Sequence, residues 1–179
     1  MKKFLSAIFI CTILFAGCGT QAQENQPVES TMQTNLPKTF PTFKTTDLND
    51  QQVSSDIFAQ KKITVVNIWG TFCPPCIAEM PELAEWNKNI SPDAQIIGLV
   101  CDIENSSDTQ TVNNAKMILS QAGADFINIL PNAEIMTYLQ NVDAVPTTIF
   151  VDAQGNIIGE PVIGASVEEY KKRVEEFLK

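Results

Sequence analysis

The sequence predicts a single α/β domain that follows an export leader and a flexible linker. Three observations indicate this fold class: a strand that is apolar on both faces, a helix pattern directly after it, and alternating strand and helix patterns from Phe40 onward. The chain has 179 residues, enough to bury one hydrophobic core, and no internal repeat indicates a second domain. The folded domain is assigned to residues 37–179.

The folded region is predicted to begin with a small hairpin, formed by residues 42–46 and 51–53 around a polar turn. Residues 63–69, with the sequence ITVVNIW, are β-branched and apolar on both faces, which indicates a buried central strand. A helix over residues 75–88 and a strand over residues 95–101 complete a βαβ unit, whose crossover is expected to be right-handed.

An inserted helix–strand–helix segment is predicted next. Its first helix spans residues 109–122, where the apolar positions recur at helical spacing and Gly123 ends the helix. A short strand over residues 126–130 and a short helix over residues 133–140 follow.

The chain is predicted to close with a hairpin and a helix. Residues 147–151 and 157–161 pair antiparallel around Gly155, which lies where the turn requires a positive φ. Ser166 and Glu169 form a capping-box pattern at the start of the last helix. The apolar spacing predicts that the inner face of this helix consists of Val167, Tyr170, Val174 and Phe177.

The N-terminal residues carry the pattern of an export signal. Lys2 and Lys3 precede an apolar run over residues 4–16, which is shorter than the ~20 apolar residues of a membrane-spanning helix. An uncleaved membrane anchor is therefore the weaker alternative. Residues 1–17 are interpreted as a signal peptide. Residues 18–36 are interpreted as a linker, because their polar composition cannot bury enough surface to order the chain.

The run Leu14-Phe15-Ala16-Gly17-Cys18 resembles the lipoprotein box of bacterial lipoproteins, in which the cysteine is lipidated and becomes the mature N-terminus. Phe15 stands where that box most often has leucine. The resemblance implies a lipid anchor on Cys18 and an extracytoplasmic protein held at a membrane. The alternative is ordinary cleavage after Thr20-Gln21-Ala22, which would release a secreted or periplasmic soluble protein that begins at Gln23.

The composition excludes several kinds of site. A formal net charge of −9 argues against nucleic acid or an anionic membrane surface as a partner. The chain has no histidine, which excludes imidazole metal sites, Ser-His-Asp triads and Cys-His nucleophile pairs. Of its five cysteines, Cys11 and Cys18 lie in or beside the leader. The candidates for a folded site are Cys73, Cys76 and Cys101.

Cys73 and Cys76 stand three residues apart where a helix follows the buried strand. If Cys73 is the N-cap, Pro74 and Pro75 take the first two helical positions, where a missing N–H costs little. The amide of Cys76 then becomes the main local donor to the Cys73 sulfur. The positive helix end favours a thiolate, which makes Cys73 the candidate nucleophile and Cys76, one turn further in, the candidate resolving thiol.

A zinc site is one competing interpretation of this pair. Zinc needs four ligands, and Cys101 is the only further thiol after the leader region. A copper chaperone of similar fold would also require histidine. A purely structural disulfide is the remaining alternative. We therefore expect no metal and no cofactor. Cys101 ends its strand near the site and is interpreted as a buried, inert thiol, because a free cysteine behaves as a small hydrophobe.

Two motifs connect the chain to a known family. Residues 66–76 read VNIWGTFCPPC, residues 145–148 read VPTT, and Pro81 lies in the helix after the cysteines. Together with the inserted segment, these features resemble thioredoxin-like proteins, and among them the membrane-tethered TlpA/ResA type of thiol-disulfide oxidoreductase. The resemblance covers roughly residues 37–179. It implies a thioredoxin fold: a central mixed sheet flanked by helices, with an N-terminal β-hairpin and the inserted α-β-α segment.

The resemblance also implies substrate-binding residues. Pro146 corresponds to the cis-proline of the family, which turns the backbone of Val145 outward to pair with an extended substrate segment. Trp69 is expected to pack at the rim of the site, and an ordinary buried tryptophan is the alternative. The expected substrate-binding residues are Trp69, Pro74, Pro75, Val145 and Pro146.

A proton acceptor is also implied by the resemblance. Asn67 stands where thioredoxin keeps a buried aspartate, and an amide cannot take a proton. The TlpA/ResA type carries an acid three residues after the second cysteine, which is Glu79 here, and this residue is expected to deprotonate Cys76. The alternative is that Glu79 belongs to a solvated acidic face together with Glu82 and Glu85.

The expected function is reduction of disulfides in exported proteins by a lipid-anchored monomer, which a membrane thiol donor re-reduces. The alternative is that the same two cysteines oxidise client thiols and so form disulfides, because related CxxC proteins span reduction potentials from about −270 to about −120 mV. A peroxiredoxin-like peroxidase shares the fold, but its Pro-x-x-x-Thr-x-x-Cys run is absent from the sequence. A binding lipoprotein without catalysis would not need both cysteines at the helix start.

Overall fold

The computed structural model describes residues 36–103 and 107–179. The strands are β1 (Lys44–Thr46), β2 (Gln52–Ser54), β3 (Ile63–Trp69), β4 (Ala94–Val100), β5 (Asn128–Ile129), β6 (Thr147–Asp152) and β7 (Val162–Ile163). The α-helices are α1 (Pro74–Asn89), α2 (Thr109–Ala122), α3 (Ala133–Leu139) and α4 (Val167–Phe177). A 3-10 helix spans Ser55–Gln60. The predicted signal peptide, Cys18 and nearly all of the linker lie outside the described residues.

A mixed sheet with the strand order β5-β4-β3-β6-β7 forms the centre of the domain. β3 pairs parallel with β4 and antiparallel with β6. Every residue of β3 is buried, which confirms the central position predicted from its apolar run. The predicted N-terminal hairpin is also present, as the separate pair β1 and β2. No described helix is both apolar enough and long enough to span a membrane.

Side chains of β3 alternate between two hydrophobic clusters, as the two-residue period of a strand requires. Val65 and Trp69 pack into the cluster that also contains residues of α1, α2 and α4. Val66 and Ile68 pack into a second cluster, with side chains from the N-terminal segment, the 3-10 helix and α3. Asn67 therefore points to the same side of the sheet as Val65 and Trp69, which is the side that α1 covers.

The inserted segment forms as predicted, with α2, β5 and α3 between β4 and β6. α2 ends at Gly123, whose φ of 66° lies in the left-handed region that a helix C-terminus favours. β5 is shorter than predicted, and it pairs with β4 at Gly98 and Leu99.

The predicted second strand of the C-terminal hairpin, residues 157–161, is wrong. Ile157 forms one isolated bridge, and β7 lies further along the chain. Gly159 has a φ of 66°, and Pro161 has no N–H to donate, so the backbone cannot continue as a strand here. The turn itself is confirmed, because Gly155 has a φ of 85°.

The predicted capping box of α4 is also wrong. Ser166 is the N-cap residue, but its side chain makes no capping hydrogen bond. Its backbone N–H donates to the hydroxyl of Tyr170 at 3.2 Å, and the side chain of Glu169 pairs with Arg173 at 2.9 Å. The predicted inner face is confirmed: Val167, Tyr170 and Val174 are buried, and Phe177 packs against Phe150.

Candidate active site

The two cysteines of the CPPC motif lie at the N-terminus of α1 and form a disulfide. Cys73 is the N-cap residue, and Pro74 and Pro75 occupy the first two helical positions, as the spacing predicts. The N–H of Cys76 donates to the Sγ atom of Cys73 at 3.3 Å. Cys76 is completely buried and Cys73 is 4% exposed, so a partner reaches the disulfide from the Cys73 side.

The segment before β6 lies against this disulfide. The peptide bond between Val145 and Pro146 is cis, as the resemblance implies. The Sγ atom of Cys73 lies 3.5 Å from the carbonyl oxygen of Val145. Pro146 is buried and Val145 is half-buried. The Val145 backbone is therefore in contact with the Cys73 sulfur of the disulfide.

The expected rim position of Trp69 is wrong, because its side chain is completely buried. Its indole N–H donates to the Oδ1 atom of Asn128 at 2.9 Å, which holds the ring inside the core. The exposed aromatic residue beside the disulfide is Phe72, with 67% of its surface accessible. A signal for it exists in the sequence: Phe72 is an apolar residue in the turn between a buried strand and the cysteines, where no core contact is expected.

Glu79 is a buried carboxylate on the first turns of α1, with an exposed fraction of 5%. The side-chain amide of Asn67 donates to its Oε1 atom at 2.9 Å, and the hydroxyl of Tyr170 lies 3.0 Å from its Oε2 atom. Desolvation raises the pKa of Glu79 above its ordinary value of 4.5, and these two hydrogen bonds offset part of that effect.

The solvated-face alternative for Glu79 is therefore wrong. Glu82 and Glu85 are exposed and form surface ion pairs, Glu82 with Lys171 at 3.2 Å and Glu85 with Lys88 at 3.0 Å. Glu79 is instead buried, and it contacts neutral polar groups of β3 and α4. It also borders a surface cleft of about 360 Å³ between α1 and the start of α4.

Asn67 connects the buried acid to the sheet. Its amide nitrogen donates to both Glu79 and the Oγ1 atom of Thr148, at 2.9 and 3.0 Å. Its own Oδ1 atom has no hydrogen-bond partner within the described residues. The amide therefore acts as a double donor, which is the orientation that favours a negatively charged Glu79.

The Redoxin family matches residues 36–174 of this sequence. The chain belongs to the Redoxin family. A thiol-disulfide oxidoreductase ResA from Bacillus thuringiensis subsp. konkukian (strain 97-27) is 31% identical over 185 residues, which cover 100% of this chain and 98% of that protein. A thiol:disulfide interchange protein DsbE from Vibrio cholerae is 28% identical, over 87% of this chain and 83% of that protein.

A solved structure of a thiol:disulfide interchange protein of the thioredoxin family, from Chlorobium tepidum TLS, has a TM-score of 0.65 at 22% identity. The match covers 80% of this chain and 97% of the solved chain, and it confirms the thioredoxin fold. Within the Redoxin family the chain is ResA/TlpA-like, and the enzyme is a thiol-disulfide oxidoreductase.

Cys101 is the third cysteine among the described residues of this Redoxin domain. It is free and half-buried, so the expectation of a fully buried thiol is corrected. Desolvation, followed by the charge of Asp102, raises the pKa of Cys101 to about 11, which keeps the thiol protonated near neutral pH. Cys101 lines a cavity of about 460 Å³ together with Phe72 and Val145. Within residues 36–103 and 107–179, no group of three or more potential ligands is arranged to hold a metal ion.

Asp102 is a site-supporting residue that the sequence pattern did not reveal. Its Oδ2 atom accepts hydrogen bonds from the backbone N–H of Thr71, at 3.0 Å, and from the Thr71 hydroxyl, at 2.6 Å. These bonds fix the turn that leads into Cys73. The two residues are distant in sequence, so only the pairing of β3 with β4 brings them together.

Proposed function

We propose that this enzyme is an extracytoplasmic reductase for disulfides of exported proteins. The thiolate of reduced Cys73 attacks a client disulfide, forms a mixed disulfide with one client sulfur and releases the other as a thiolate. The thiolate of Cys76 then attacks the Sγ atom of Cys73, forms the Cys73–Cys76 disulfide and releases the second client thiolate. Two electrons pass from the enzyme to the client, and a membrane thiol donor restores the reduced enzyme.

The proposal that the enzyme reduces its clients rests on one observation: few hydrogen-bond donors surround the Sγ atom of Cys73. Pro74 and Pro75 have no N–H, and within the described residues one backbone amide, that of Cys76, donates to this sulfur. The carbonyl oxygen of Val145, 3.5 Å away, presents a negative end to it. Oxidants of this class stabilise their thiolate strongly, whereas a weakly stabilised thiolate makes the dithiol a better electron donor.

The reduction potential tests this direction. Equilibration of the enzyme with defined thiol-disulfide buffers is expected to give a value closer to the roughly −270 mV of thioredoxin than to the roughly −120 mV of the oxidant DsbA. A potential near the oxidant value would contradict the reductive role and support disulfide formation as the function.

The roles of the two cysteines follow from their exposure. Cys73 is the less buried of the two residues and lies at the helix start, so it makes the mixed disulfide, and the enclosed Cys76 resolves it. The variant Cys76→Ser is expected to accumulate covalent client complexes on non-reducing gels, and Cys73→Ser is not. The opposite pattern would exchange the two roles.

Glu79 is proposed as the general base for Cys76. Cys76 is completely buried, so water does little to stabilise its thiolate. The thiol nevertheless has to lose its proton before it attacks. Glu79 lies three residues further along α1, which places it on the same helical side. Because burial raises its pKa, its basicity lies closer to the working pH than that of an exposed glutamate.

We also propose that Cys18 is lipidated and that the linker of residues 18–36 tethers a monomeric domain to the membrane. The support is the lipoprotein-box resemblance and the polar composition of the linker. Mass spectrometry of the membrane fraction is expected to find an acylated N-terminus at Cys18. A soluble form beginning at Gln23 would contradict the anchor and leave the proposal of export intact.

A further inference from the structure

The hydroxyl of Tyr170 lies between two acceptors. Its oxygen is 3.0 Å from the Oε2 atom of Glu79 and 2.9 Å from the carbonyl oxygen of Gly164, and it accepts the backbone N–H of Ser166 at 3.2 Å. Tyr170 is completely buried, and burial raises its pKa to about 12, so it is a neutral donor at any working pH. A phenol has one proton, so it can serve only one of the two acceptors at a time.

The protonation state of Glu79 decides which acceptor receives that proton. An ionised carboxylate is the stronger acceptor, and Tyr170 then donates to Glu79. A protonated Glu79 becomes a donor itself, and the oxygen of Tyr170 can accept its proton while the phenol turns to the carbonyl of Gly164. The N–H of Ser166 is satisfied in both arrangements. In both states the Oε2 atom of Glu79 therefore keeps the hydroxyl of Tyr170 as its partner, which a buried acid requires, and in the ionised state it is the carbonyl of Gly164 that gives up its donor.

The carbonyl of Gly164 is fixed in position for this role. Gly164 has a φ of 89°, which lies in the region that favours glycine, and its N–H donates to the carbonyl oxygen of Pro146 at 2.8 Å. The preceding residue, Ile163, pairs with Thr147 in the sheet. The second acceptor of Tyr170 is thus held by the same chain segment that lies against Cys73.

None of the charged groups near Glu79 takes the place of the Tyr170 hydroxyl as its hydrogen-bond donor. Glu82 on α1 raises the pKa of Glu79 through charge repulsion, an effect smaller than desolvation. Lys171 of α4 pairs with Glu82 and with Glu168, which lines the cleft beside the acid. No ion pair of Glu79 is found in the described part of the chain. Its other documented neighbours are neutral groups from β3 and the start of α4, namely the amide of Asn67, the hydroxyl of Tyr170 and the N–H of Ser166.

We propose that Tyr170 is a positioning residue that lets Glu79 accept and release the proton of Cys76, by turning its hydroxyl between Glu79 and the carbonyl of Gly164. This inference rests on the proposed role of Glu79 as the base. The proton moves from the Sγ atom of Cys76 to Glu79, and it leaves to solvent through the adjoining cleft. Tyr170 reorients without gaining or losing a proton.

Direct titration of Glu79 tests the hydrogen bond without catalysis. The δ-carbon of ¹³C-labelled glutamate is followed by NMR against pH in the oxidised protein, and Glu79→Gln assigns the signal. In Tyr170→Phe we expect a higher pKa for Glu79, because the ionised form loses a donor. The matched control is Tyr138→Phe, which removes a buried hydroxyl that has no hydrogen-bond partner in the described residues and lies in the other core cluster. Unchanged titration in Tyr170→Phe would overturn the proposal.

A second probe covers the case in which Tyr170→Phe does not fold. The chain has two tyrosines, so biosynthetic 3-fluorotyrosine in a Tyr138→Phe background labels Tyr170 alone. Fluorination makes the phenol a stronger donor. We expect it to lower the pKa of Glu79, a shift opposite to that of Tyr170→Phe, and a shift in the same direction would contradict the proposal.

Stopped-flow kinetics separate a positioning role from a structural one. In Tyr170→Phe, the acid limb of the pH profile for resolution by Cys76 is expected to move to higher pH, so that the rate falls at acid pH and recovers at alkaline pH. In a Glu79→Gln background, Tyr170→Phe should add no further loss. An equal loss in both backgrounds would show that Tyr170 acts through folding and would overturn the proposal.

The two proposals fail in different ways. If Glu79→Gln resolves at the rate of the unsubstituted enzyme, the role of Glu79 as a base is wrong, and the role of Tyr170 fails with it. If resolution is slow in Glu79→Gln but the pKa of Glu79 is the same with and without the hydroxyl of Tyr170, only the role of Tyr170 is wrong.

Discussion

Glu79 is a residue whose surroundings differ from those of every acid near it on the same helix. Glu82 and Glu85 keep their charge in water and pair with lysines, and such exposed pairs contribute about 0–1 kcal/mol each. Glu79 is enclosed, has neutral hydrogen-bond partners and borders a cleft. Such a carboxylate is costly to keep charged, which suits the proton-accepting role proposed for Glu79.

Replacing the acid by its amide should affect one step of the reaction. In Glu79→Gln, attack by Cys73 on a client disulfide is expected to keep its rate, because that step uses no proton from Cys76. Resolution by Cys76 should slow by about 10²-fold or more, the usual loss when a general base is removed. Stopped-flow measurement of both steps on a preformed mixed disulfide and on a model client provides the test.

The control for this substitution is Glu85→Gln, which removes the same charge from an exposed position paired with Lys88. We expect both steps to be unchanged in this variant. If Glu79→Gln also leaves the rate and the pH profile of resolution unaltered, the proton of Cys76 leaves through water and not through Glu79.

At the scale of elements, the N-terminus of α1 combines a helix end with two residues that lack an N–H. An N-cap side chain normally accepts from the amide of the second or third helical residue. Here the second position is Pro75, so the sulfur of Cys73 receives only the third amide, that of Cys76, within the described structure. The two prolines thus limit how strongly the helix end stabilises a thiolate.

Restoring the second amide should make the enzyme more oxidising. In Pro75→Ala, a new N–H can donate to the thiolate of Cys73, and a hydrogen bond to a charged group contributes roughly 1.5–3 kcal/mol. The reduction potential is expected to rise by about 30–60 mV, since about 1.4 kcal/mol corresponds to 30 mV for two electrons. Pro74→Ala is the matched control, because the first helical amide does not reach the N-cap side chain. Equal potentials for the two variants would contradict this account of the site.

A second contact between elements fixes the end of the central strand. The indole of Trp69 in β3 donates to Asn128 in β5, across Gly98 in β4. A methyl group at Gly98 would collide with the Oδ1 atom of Asn128 and lie 2.6 Å from its Cγ atom. The absence of a side chain at position 98 is therefore what allows this hydrogen bond to span the middle strand.

Gly98→Ala is expected to lower the free energy of unfolding by about 1–3 kcal/mol, the usual cost of forcing extra volume into a packed core. Urea unfolding of the oxidised protein measures this loss. In an Asn128→Ala background the same substitution should cost less, because the colliding amide is gone. A cost that is equal in both backgrounds would show that the strain comes from another neighbour.

At the scale of the whole molecule, the stability of the domain should depend on the protonation of Glu79. Its pKa is raised above 4.5 in the folded state, so the folded protein binds more protons than the unfolded chain just above that pH. The stability contributed by the protonated acid is complete below pH 4.5 and is lost as the pH rises through the folded pKa. Glu79→Gln removes this titration.

Unfolding of the oxidised enzyme by urea across a pH series is expected to show this difference. The free energy of unfolding of the unsubstituted protein should fall relative to that of Glu79→Gln as the pH rises above 4.5. Glu85→Gln should follow the unsubstituted protein. If the difference between the unsubstituted protein and Glu79→Gln is constant with pH, Glu79 does not titrate in that range.

Most of the architecture was predictable because its signals are local. The run at Ile63–Trp69 is apolar on both faces, and α2 begins and ends where spacing and Gly123 indicate. The prediction of a strand at residues 157–161 was wrong because Gly159 and Pro161 interrupt a run of strand-forming residues. The positive φ of Gly159 is visible only in the folded chain. The capping box failed because Tyr170 takes the N–H of Ser166, while the serine side chain makes no cap.

The sequence by itself indicated the cysteine pair and its place at a helix start, because these depend on residue types at short spacing, whereas the candidate acid Glu79 was implied by the family resemblance. Only the tertiary structure decided that Trp69 is enclosed and that Phe72 is exposed instead. It also decided that Glu79 meets Tyr170, which lies 91 residues away in sequence. Burial and pKa depend on which distant elements pack together, and a local pattern contains no information about those contacts.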